Sequence, residues 1–272
     1  MFGDRRNIST GVRPGGGAIA GLCAVVLVIV WLMSTGPATS GEFGHPPPDA
    51  GQIGRVMAVG ITRYWIHETA AVARGVALRD TSGRALGPKV TPRSFCHGAN
   101  EGTMRVKSAT VTRTFNIEDM GLAPQTDCAP YFREILAARP GYIRIIRKME
   151  RTSFLRTAAP FGLGARGQWL VPYRSIAVDP RFVAANTLVF LPSVRGRRLR
   201  GADGGFFRHD GYFLAVDTGT DIKGARIDLF QGRDWPNAAD TLDDLQDRAQ
   251  PMWIIRNPAL RRQLRRLHAP AS

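Results

Sequence analysis

The fold is decided by the stretch Phe213-Leu-Ala-Val-Asp217-Thr-Gly-Thr-Asp-Ile-Lys-Gly-Ala-Arg-Ile-Asp228-Leu-Phe230, in which two apolar runs each place an aspartate beside a turn that contains glycine. An earlier run, Ser175-Ile-Ala-Val-Asp179-Pro180, has the same form. Short apolar runs bounded by glycine or proline predict β-strands. Because three aspartates stand in or directly after these strands, we expect them to contribute to one shared site.

The alternation of side chains along a strand assigns a face to each residue of the two runs. In the second run, Asp228 leaves the core, together with Arg226 and Phe230, and two residues stay inside, Ile227 and Leu229. In the first run the same count predicts that Leu214 and Val216 lie inside and that the opposite face carries Phe213, Ala215 and Asp217. Both carboxylates converge on one surface if the two strands are neighbours.

The composition predicts one main domain with a surface that attracts anions. The chain has 272 residues, of which 44% are hydrophobic, so that it can bury one sizeable core, and its 30 glycines and 18 prolines favour turns. The formal net charge is +15 and the isoelectric point is near 11.0. Nucleic acid, an anionic membrane surface or an anionic cell-wall polymer would all suit such a surface.

The N-terminus has the pattern of an export signal. Residues 1–17 contain several arginines and a single acid, residues 18–33 form an apolar run, and small residues follow at Ala38-Thr39-Ser40. We expect residues 1–40 to be either a cleaved signal peptide or a membrane anchor held through residues 18–33. Either outcome exports the remainder to the periplasm or cell envelope, where nucleic acid is not an expected partner.

Three further segments have distinct patterns. Residues 41–54, with three consecutive prolines, predict an unfolded linker. Residues 55–165 predict a β-rich N-terminal part of the folded domain, with a short helix over residues 131–139. Pro88 and Pro92 argue against a helix over residues 85–90. The basic tail, residues 259–272, spaces leucines at helical intervals among arginines. It either lies on an anionic surface or is solvated.

The cysteines and the glycine-rich loop give no sign of a metal or a cofactor. Cys96 and Cys128 either form a disulfide after export or remain two separate buried thiols. No metal-ligand spacing is visible, and residues 160–167 lack the Gly-Lys-Ser/Thr ending of a phosphate-binding loop. We therefore expect neither a metal nor a cofactor.

Four blocks together resemble the three-aspartate (3D) domain, a family found at the C-terminal end of membrane-bound lytic transglycosylase A and in many exported cell-wall proteins. The blocks are Arg174-Ser-Ile-Ala-Val-Asp179-Pro, Asn186-Thr-Leu-Val-Phe-Leu-Pro192, His209-Asp-Gly-Tyr-Phe-Leu-Ala-Val-Asp217-Thr-Gly and Ile222-Lys-Gly-Ala-Arg-Ile-Asp228-Leu-Phe. The resemblance implies a mainly β fold with a six-stranded double-psi β-barrel over residues 166–258, an additional β-rich N-terminal portion and short helices. It also implies peptidoglycan glycan strands as the substrate.

The resemblance further implies roles for single residues. Asp228 would be the catalytic acid and base of a lytic transglycosylase, which needs a raised pKa, and Asp217 would line the site. The remaining candidates for substrate contacts are Asp179, Thr218, Lys223, Arg226 and Phe230. For Asp179, which precedes proline, we favour a structural hydrogen-bonding role, and His97 and Glu101 are kept as a reserve acid and base.

The chain departs from the family pattern next to the proposed site. Thr220 and Asp221 stand where the family has glycine and alanine. These residues could narrow the groove or raise the pKa of a neighbouring carboxyl. The alternative to an enzyme is therefore a non-catalytic barrel that binds peptidoglycan and organises the cell wall or a partner.

Overall fold

The structure is a computed structural model that describes residues 43–235, 242–246 and 248–270. The expected signal peptide or anchor, residues 1–40, lies outside the described residues. Within them, no helix is long and apolar enough to span a membrane.

The described part of the chain is mainly β, with four short α-helices. The first strands and helices are β1 (Ile53–Tyr64), β2 (His67–Ala70), β3 (Val76–Arg79), β4 (Ala85–Val90), α1 (Pro92–Glu101), β5 (Thr103–Lys107), β6 (Thr112–Asp119), α2 (Arg133–Ala138), α3 (Ile143–Met149) and β7 (Ser153–Thr157). They are followed by β8 (Ser175–Val178), β9 (Leu188–Phe190), β10 (Arg198–Arg200), β11 (Phe206–Arg208), β12 (Tyr212–Asp217), β13 (Arg226–Phe230), β14 (Ala249–Ile255) and α4 (Pro258–Leu267).

Six strands form a closed ring in the order β1-β13-β8-β12-β9-β14. Two pairs are parallel, β1 with β13 and β8 with β12, and the others are antiparallel. Alternate residues of these strands fill the interior with apolar side chains, namely Val59, Ile61, Ile176, Val178, Val189, Phe213, Ala215, Ile227, Leu229 and Met252. The ring brings β13, β8 and β12 side by side, which places the aspartate-bearing strands next to one another.

A second sheet, in the order β2-β5-β6-β7, carries its own core. That core packs α1 and α3 against the sheet through residues such as Phe95, Phe115, Ile146 and Phe154. Cys96 and Cys128 are joined by a disulfide across a separation of 32 residues, which decides between the two alternatives that the sequence left open.

Helix α1 was not predicted from the sequence, whereas the expectation that residues 85–90 form no helix is confirmed, because they form β4. In the structure Pro92 opens the helix, where its missing N–H costs nothing, and Thr91 caps it by accepting a hydrogen bond from Ser94 N. The helix ends at Glu101, since Gly102 adopts the left-handed conformation at φ 82°. Helix α2 agrees with the helix that the sequence predicted over residues 131–139.

The segment just before β1 differs from the expected unfolded linker. The backbone N–H groups of Gly44 and His45 donate to Asp210 Oδ2 at 3.2 and 3.3 Å, and the Phe43 ring stacks on Phe207 at 4.1 Å. Asp210 is fixed in turn by the fully buried Arg174, whose guanidinium donates to both carboxylate oxygens. The segment is held further by its own carbonyl groups, since Pro46 O accepts from Tyr212 Oη and His45 O accepts from Arg195 Nη1.

The basic tail is also more ordered than either alternative predicted. Residues 258–267 form α4, and two of its leucines, Leu260 and Leu264, are buried against Phe190, Tyr212 and Ile255 of the ring. The apolar face of the helix is therefore used inside the molecule, and the four arginines at positions 261, 262, 265 and 266 are exposed.

Candidate active site

Asp217 and Asp228 lie on opposite sides of one residue, Ala177. Strand β8 pairs with β13 so that Ala177 is opposite Asp228, and it pairs with β12 so that the same alanine is opposite Asp217. All three residues line the same cleft. Because neighbouring strands are about 4.8 Å apart, the Cα atoms of the two aspartates are about 10 Å apart on one surface.

Asp217 reaches this surface through an irregularity in β12. The register between β12 and β8 shifts between Ala215 and Asp217. Phe213 and Ala215 face the interior of the ring, whereas Leu214 and Val216 pack outside it. The prediction from alternation had these two faces exchanged and was wrong. With Val216 present, strict alternation would send Asp217 inward, and the bulge turns it outward instead.

Asp228 has the properties of a carboxylic acid that keeps its proton near neutral pH. Its Oδ1 atom is buried and has no hydrogen-bond partner among the described residues. Burial raises the pKa of Asp228 to about 7, and the negative charge of Asp217 acts in the same direction, against Thr62, Arg226 and Arg63, which lower it. At pH 7 the carboxyl group is therefore about half protonated.

Asp217 is held rigidly by three hydrogen bonds. Tyr64 Oη donates to Oδ2 at 2.8 Å, and the backbone N–H groups of Ala165 and Thr218 donate to Oδ1 at 2.9 and 2.8 Å. Burial raises the pKa of Asp217, while these donors lower it. Burial and the charge of Asp217 also raise the pKa of Tyr64, which keeps its hydroxyl protonated as a donor.

The glycine-rich loop, residues 160–167, supplies one of these donors. A Cβ atom on Gly164 would lie 2.4 Å from the carbonyl oxygen of Val216, so that only glycine allows the loop to approach β12 this closely. The next residue, Ala165, is then in reach of Asp217. The missing Gly-Lys-Ser/Thr ending argues against nucleotide binding by this loop, but no local pattern reveals its contact with Asp217.

Glu101 contributes a third carboxyl group to the cleft. Asn100 Nδ2 donates to its Oε1 at 3.0 Å, and Trp65 N to its Oε2 at 3.4 Å. Burial raises the pKa of Glu101 to about 7, with a contribution from the charge of Asp228. The other reserve candidate, His97, packs against rings outside the cleft.

The cleft lies between the ring and the second sheet and has a volume of about 610 Å³. Its walls combine five carboxyl groups, those three and the ones of Glu118 and Asp221, with apolar and amide side chains, including Ile117, Leu155, Leu163, Asn100 and Asn116. This mixture suits a ligand with both hydroxyl groups and apolar faces. Among the described residues, no group of three or more His, Cys, Asp or Glu could hold a metal ion.

The other predicted contact residues fall in different places. Thr218 lines the cleft. Lys223 is exposed outside it, and Arg226 is half-buried beside Asp228, where its charge lowers the pKa of that carboxyl. Phe230 is fully buried and packs its ring against Tyr64 at 4.9 Å, so that it supports the cleft from behind.

Asp179 lies away from the cleft, in the turn that follows β8. Its carboxylate accepts hydrogen bonds from the backbone and guanidinium of Arg181 and from Gly224 N. The Arg181 side chain and these backbone donors hold the pKa of Asp179 well below its usual range. The contacts fasten the loop before β13 to the end of β8.

Thr220 and Asp221, the two departures from the family pattern, both line the cleft. The Asp221 carboxylate pairs with Arg139 and not with Asp228. Both of its oxygens accept from Arg139 Nη2, at 2.9 and 2.8 Å.

Comparison with known families identifies the part of the chain that carries both aspartates. The family model described as the 3D domain matches residues 174–239. The chain contains a 3D domain. The 3D domain spans β8 to β13, and β1 and β14, which close the ring, lie outside it.

The chain is also similar to solved structures, at low sequence identity. These include Escherichia coli MltA with bound chitohexaose (15% identity, TM-score 0.49, covering 73% of this chain and 71% of that one) and the lytic transglycosylase LtgG of Burkholderia pseudomallei (21%, 0.39, 74% and 72%). A membrane-bound lytic murein transglycosylase from Agrobacterium tumefaciens is similar at 18% identity and a TM-score of 0.44, over 75% and 76% of the two chains. A search of the curated proteins found no match. At this distance the likenesses assign no role to any residue.

Proposed function

We propose that this chain is an exported lytic transglycosylase that cleaves the β-1,4 bond between N-acetylmuramic acid and N-acetylglucosamine in peptidoglycan. The observation that carries the proposal is Asp228, a half-buried carboxyl group within the 3D domain, with a pKa of about 7 and a buried oxygen that has no hydrogen-bond partner in the part of the chain that the structure describes. In this proposal the closed ring is a double-psi β-barrel, supported by its two parallel strand pairs, and residues 1–40 direct export.

The first half of the reaction uses the proton of Asp228. The protonated carboxyl donates to the glycosidic oxygen while the bond from that oxygen to the muramoyl C1 breaks, and positive charge develops on the sugar ring. The Asp217 carboxylate, fixed by Tyr64, Ala165 and Thr218, supplies nearby negative charge. That charge both stabilises the cationic ring and holds up the pKa of Asp228.

The second half returns the proton. The muramoyl 6-hydroxyl attacks C1 from within the same sugar, and the Asp228 carboxylate accepts the hydroxyl proton as the new bond forms. The product is a 1,6-anhydro sugar, and the enzyme regains its starting protonation state. Because the nucleophile belongs to the substrate, one acid and base group is sufficient, unlike in ordinary glycosidases.

The test incubates the protein from residue 41 onward with purified peptidoglycan and measures the released muropeptides by mass. We expect 1,6-anhydro products from the natural protein and none from Asp228→Asn. The Asp179→Asn variant is the matched control, because it removes a carboxylate of the same domain that lies outside the cleft. If Asp228→Asn releases the same anhydro products as the natural protein, the proposed role of Asp228 is wrong.

The alternative function, a glycan-binding barrel without catalysis, predicts a different result in the same experiment. It would leave the peptidoglycan uncut while the protein still sediments with it. Asp228→Asn would then bind as well as the natural protein, since no bond has to be protonated.

A further inference from the structure

The two walls of the cleft come from different parts of the fold. One wall is the loop after β12, which contributes Thr218 to Ile222, and the facing wall includes Asn100 and Glu101 at the end of α1, with Tyr142 close to the start of α3. A long ligand that enters from the side has to pass between these walls. What joins them therefore decides which ligands can enter.

One ion pair links the loop after β12 to a residue that lies beside the facing wall. Arg139, at the end of α2, donates to both oxygens of Asp221 in the loop after β12. The Arg139 guanidinium also lies 5.4 Å from the centroid of the Tyr142 ring. We call this connection, Asp221 with Arg139 and Tyr142, the bridge.

The bridge is backed by further hydrogen bonds on the helical side. Tyr142 Oη donates to Asn100 Oδ1 at 2.8 Å, and Asn100 Nδ2 donates to Glu101 Oε1 at 3.0 Å. A continuous set of polar contacts thus runs from the loop of the 3D domain to a carboxyl group inside the cleft. An uncharged residue at position 221 would remove the ion pair with Arg139 and separate the loop after β12 from these contacts.

We propose that Arg139 and Asp221 are specificity-determining residues that restrict the cleft to the ends of glycan strands. This inference rests on the proposed function and names the form of its substrate. In this inference the bridge spans one side of the cleft and leaves it as a tunnel or with a closed end. In both cases an interior segment of a long strand cannot enter from the side while the bridge is formed, whereas a strand end can be inserted lengthwise.

The ion pair of the bridge is weak, so that it hinders side entry of a glycan strand without preventing it. Arg139 and Asp221 are 52% and 44% exposed, so that solvent screens their attraction. Exposed ion pairs change an equilibrium by about two- to fivefold, and salt reduces the effect. Breaking the bridge should therefore raise the share of molecules in which a strand can enter the cleft from the side by about two- to fivefold.

The test compares early products from long, peptide-free glycan strands. We expect the natural protein to release mostly single disaccharides from strand ends, and Arg139→Ala and Asp221→Ala each to raise the share of long internal fragments about two- to fivefold. The rate of cleavage of short oligosaccharides should change less than the fragment pattern of long strands. The exchanged pair, Arg139→Asp with Asp221→Arg, should restore most of the preference for ends, which a mere folding defect would not do.

The matched control is Arg84→Ala, which breaks an exposed Arg–Asp pair in the turn between β3 and β4, remote from the cleft. It should leave the fragment pattern unchanged. An unchanged pattern in both bridge variants, with cleavage intact, overturns the inference but leaves the proposed function standing.

If no variant cleaves any strand, the proposed function fails, and binding tests the bridge separately. The ratio of affinities for long strands and short oligosaccharides should then rise in Arg139→Ala. An unchanged ratio overturns the inference.

Discussion

Replacing Asp228 by asparagine should make the protein more stable at alkaline pH. The folded-state pKa of Asp228 is about 7, against 3.8 for an exposed aspartate. Between these two values the folded protein binds the proton more strongly than the unfolded chain, so that stability falls as the pH rises from about 4 to about 7. Above pH 7 the stability that the bound proton contributes is lost completely.

The size of the effect follows from the same two values. A difference of about 3 pKa units corresponds to about 4 kcal/mol at pH 8, and this is an upper value because water in the cleft can solvate the charge. Asparagine has nearly the shape of the protonated acid and carries no charge. The midpoint of thermal unfolding should therefore rise by up to roughly 10 °C at pH 8 and hardly change at pH 4.

The assay measures thermal unfolding and urea unfolding of the natural protein and of Asp228→Asn at pH 4, 6 and 8. Asp217→Asn is the matched control, because its carboxylate accepts three hydrogen bonds and asparagine would lose at least one of them, at a cost of about 1 to 3 kcal/mol. At pH 8 we expect Asp228→Asn to be more stable than the natural protein and Asp217→Asn to be less stable. A variant Asp228→Asn that is no more stable than the natural protein at pH 8 would refute the argument that this carboxylate is buried at a cost.

Three further outcomes are expected. Glu101→Gln removes a negative charge that is coupled to Asp228, so the alkaline limb of the pH–activity profile should move to lower pH by less than about one unit; a move to higher pH would contradict the coupling. Gly164→Ala places a Cβ 2.4 Å from a backbone oxygen of β12 and should destabilise the protein by about 1 to 3 kcal/mol and lower activity more than Gly167→Ala, whose Cβ meets open space and whose cost comes from the positive φ of Gly167 alone. Replacing Cys96 and Cys128 by serine opens a loop of 32 residues and should cost about 3 to 4 kcal/mol in urea unfolding, with no change in the product pattern; equal stability would show that the loop closure contributes nothing.

The sequence predicted the aspartates of the site better than their surroundings. The face of Asp228 followed from alternation in β13, because that strand is regular. The same count failed for β12, since a bulge depends on the neighbouring strand and leaves no mark in a single sequence. Asp217 was expected on the correct surface, but with its apolar neighbours assigned to the wrong faces.

Residues outside the 3D domain were harder to predict because their roles depend on tertiary contacts. Helix α1 was not predicted, although a proline such as Pro92 can begin a helix. Glu101 stayed a reserve candidate because a single glutamate near a glycine turn is more often structural than catalytic. The pairing of Asp221 with Arg139 joins residues 82 positions apart, and neither position carries a local signal of the other.

The bulge in β12 also bears on how insertions and deletions are tolerated at the site. Losing the codon for Val216 would leave Asp217 directly after Ala215, opposite Ala177 in a regular ladder, and its carboxylate would still point into the cleft. Inserting one codon into β13, which has no such irregularity, would instead turn Asp228 into the ring. Gene variants that lack one residue directly before Asp217 are therefore expected to remain functional, whereas the spacing before Asp228 is expected to be invariant.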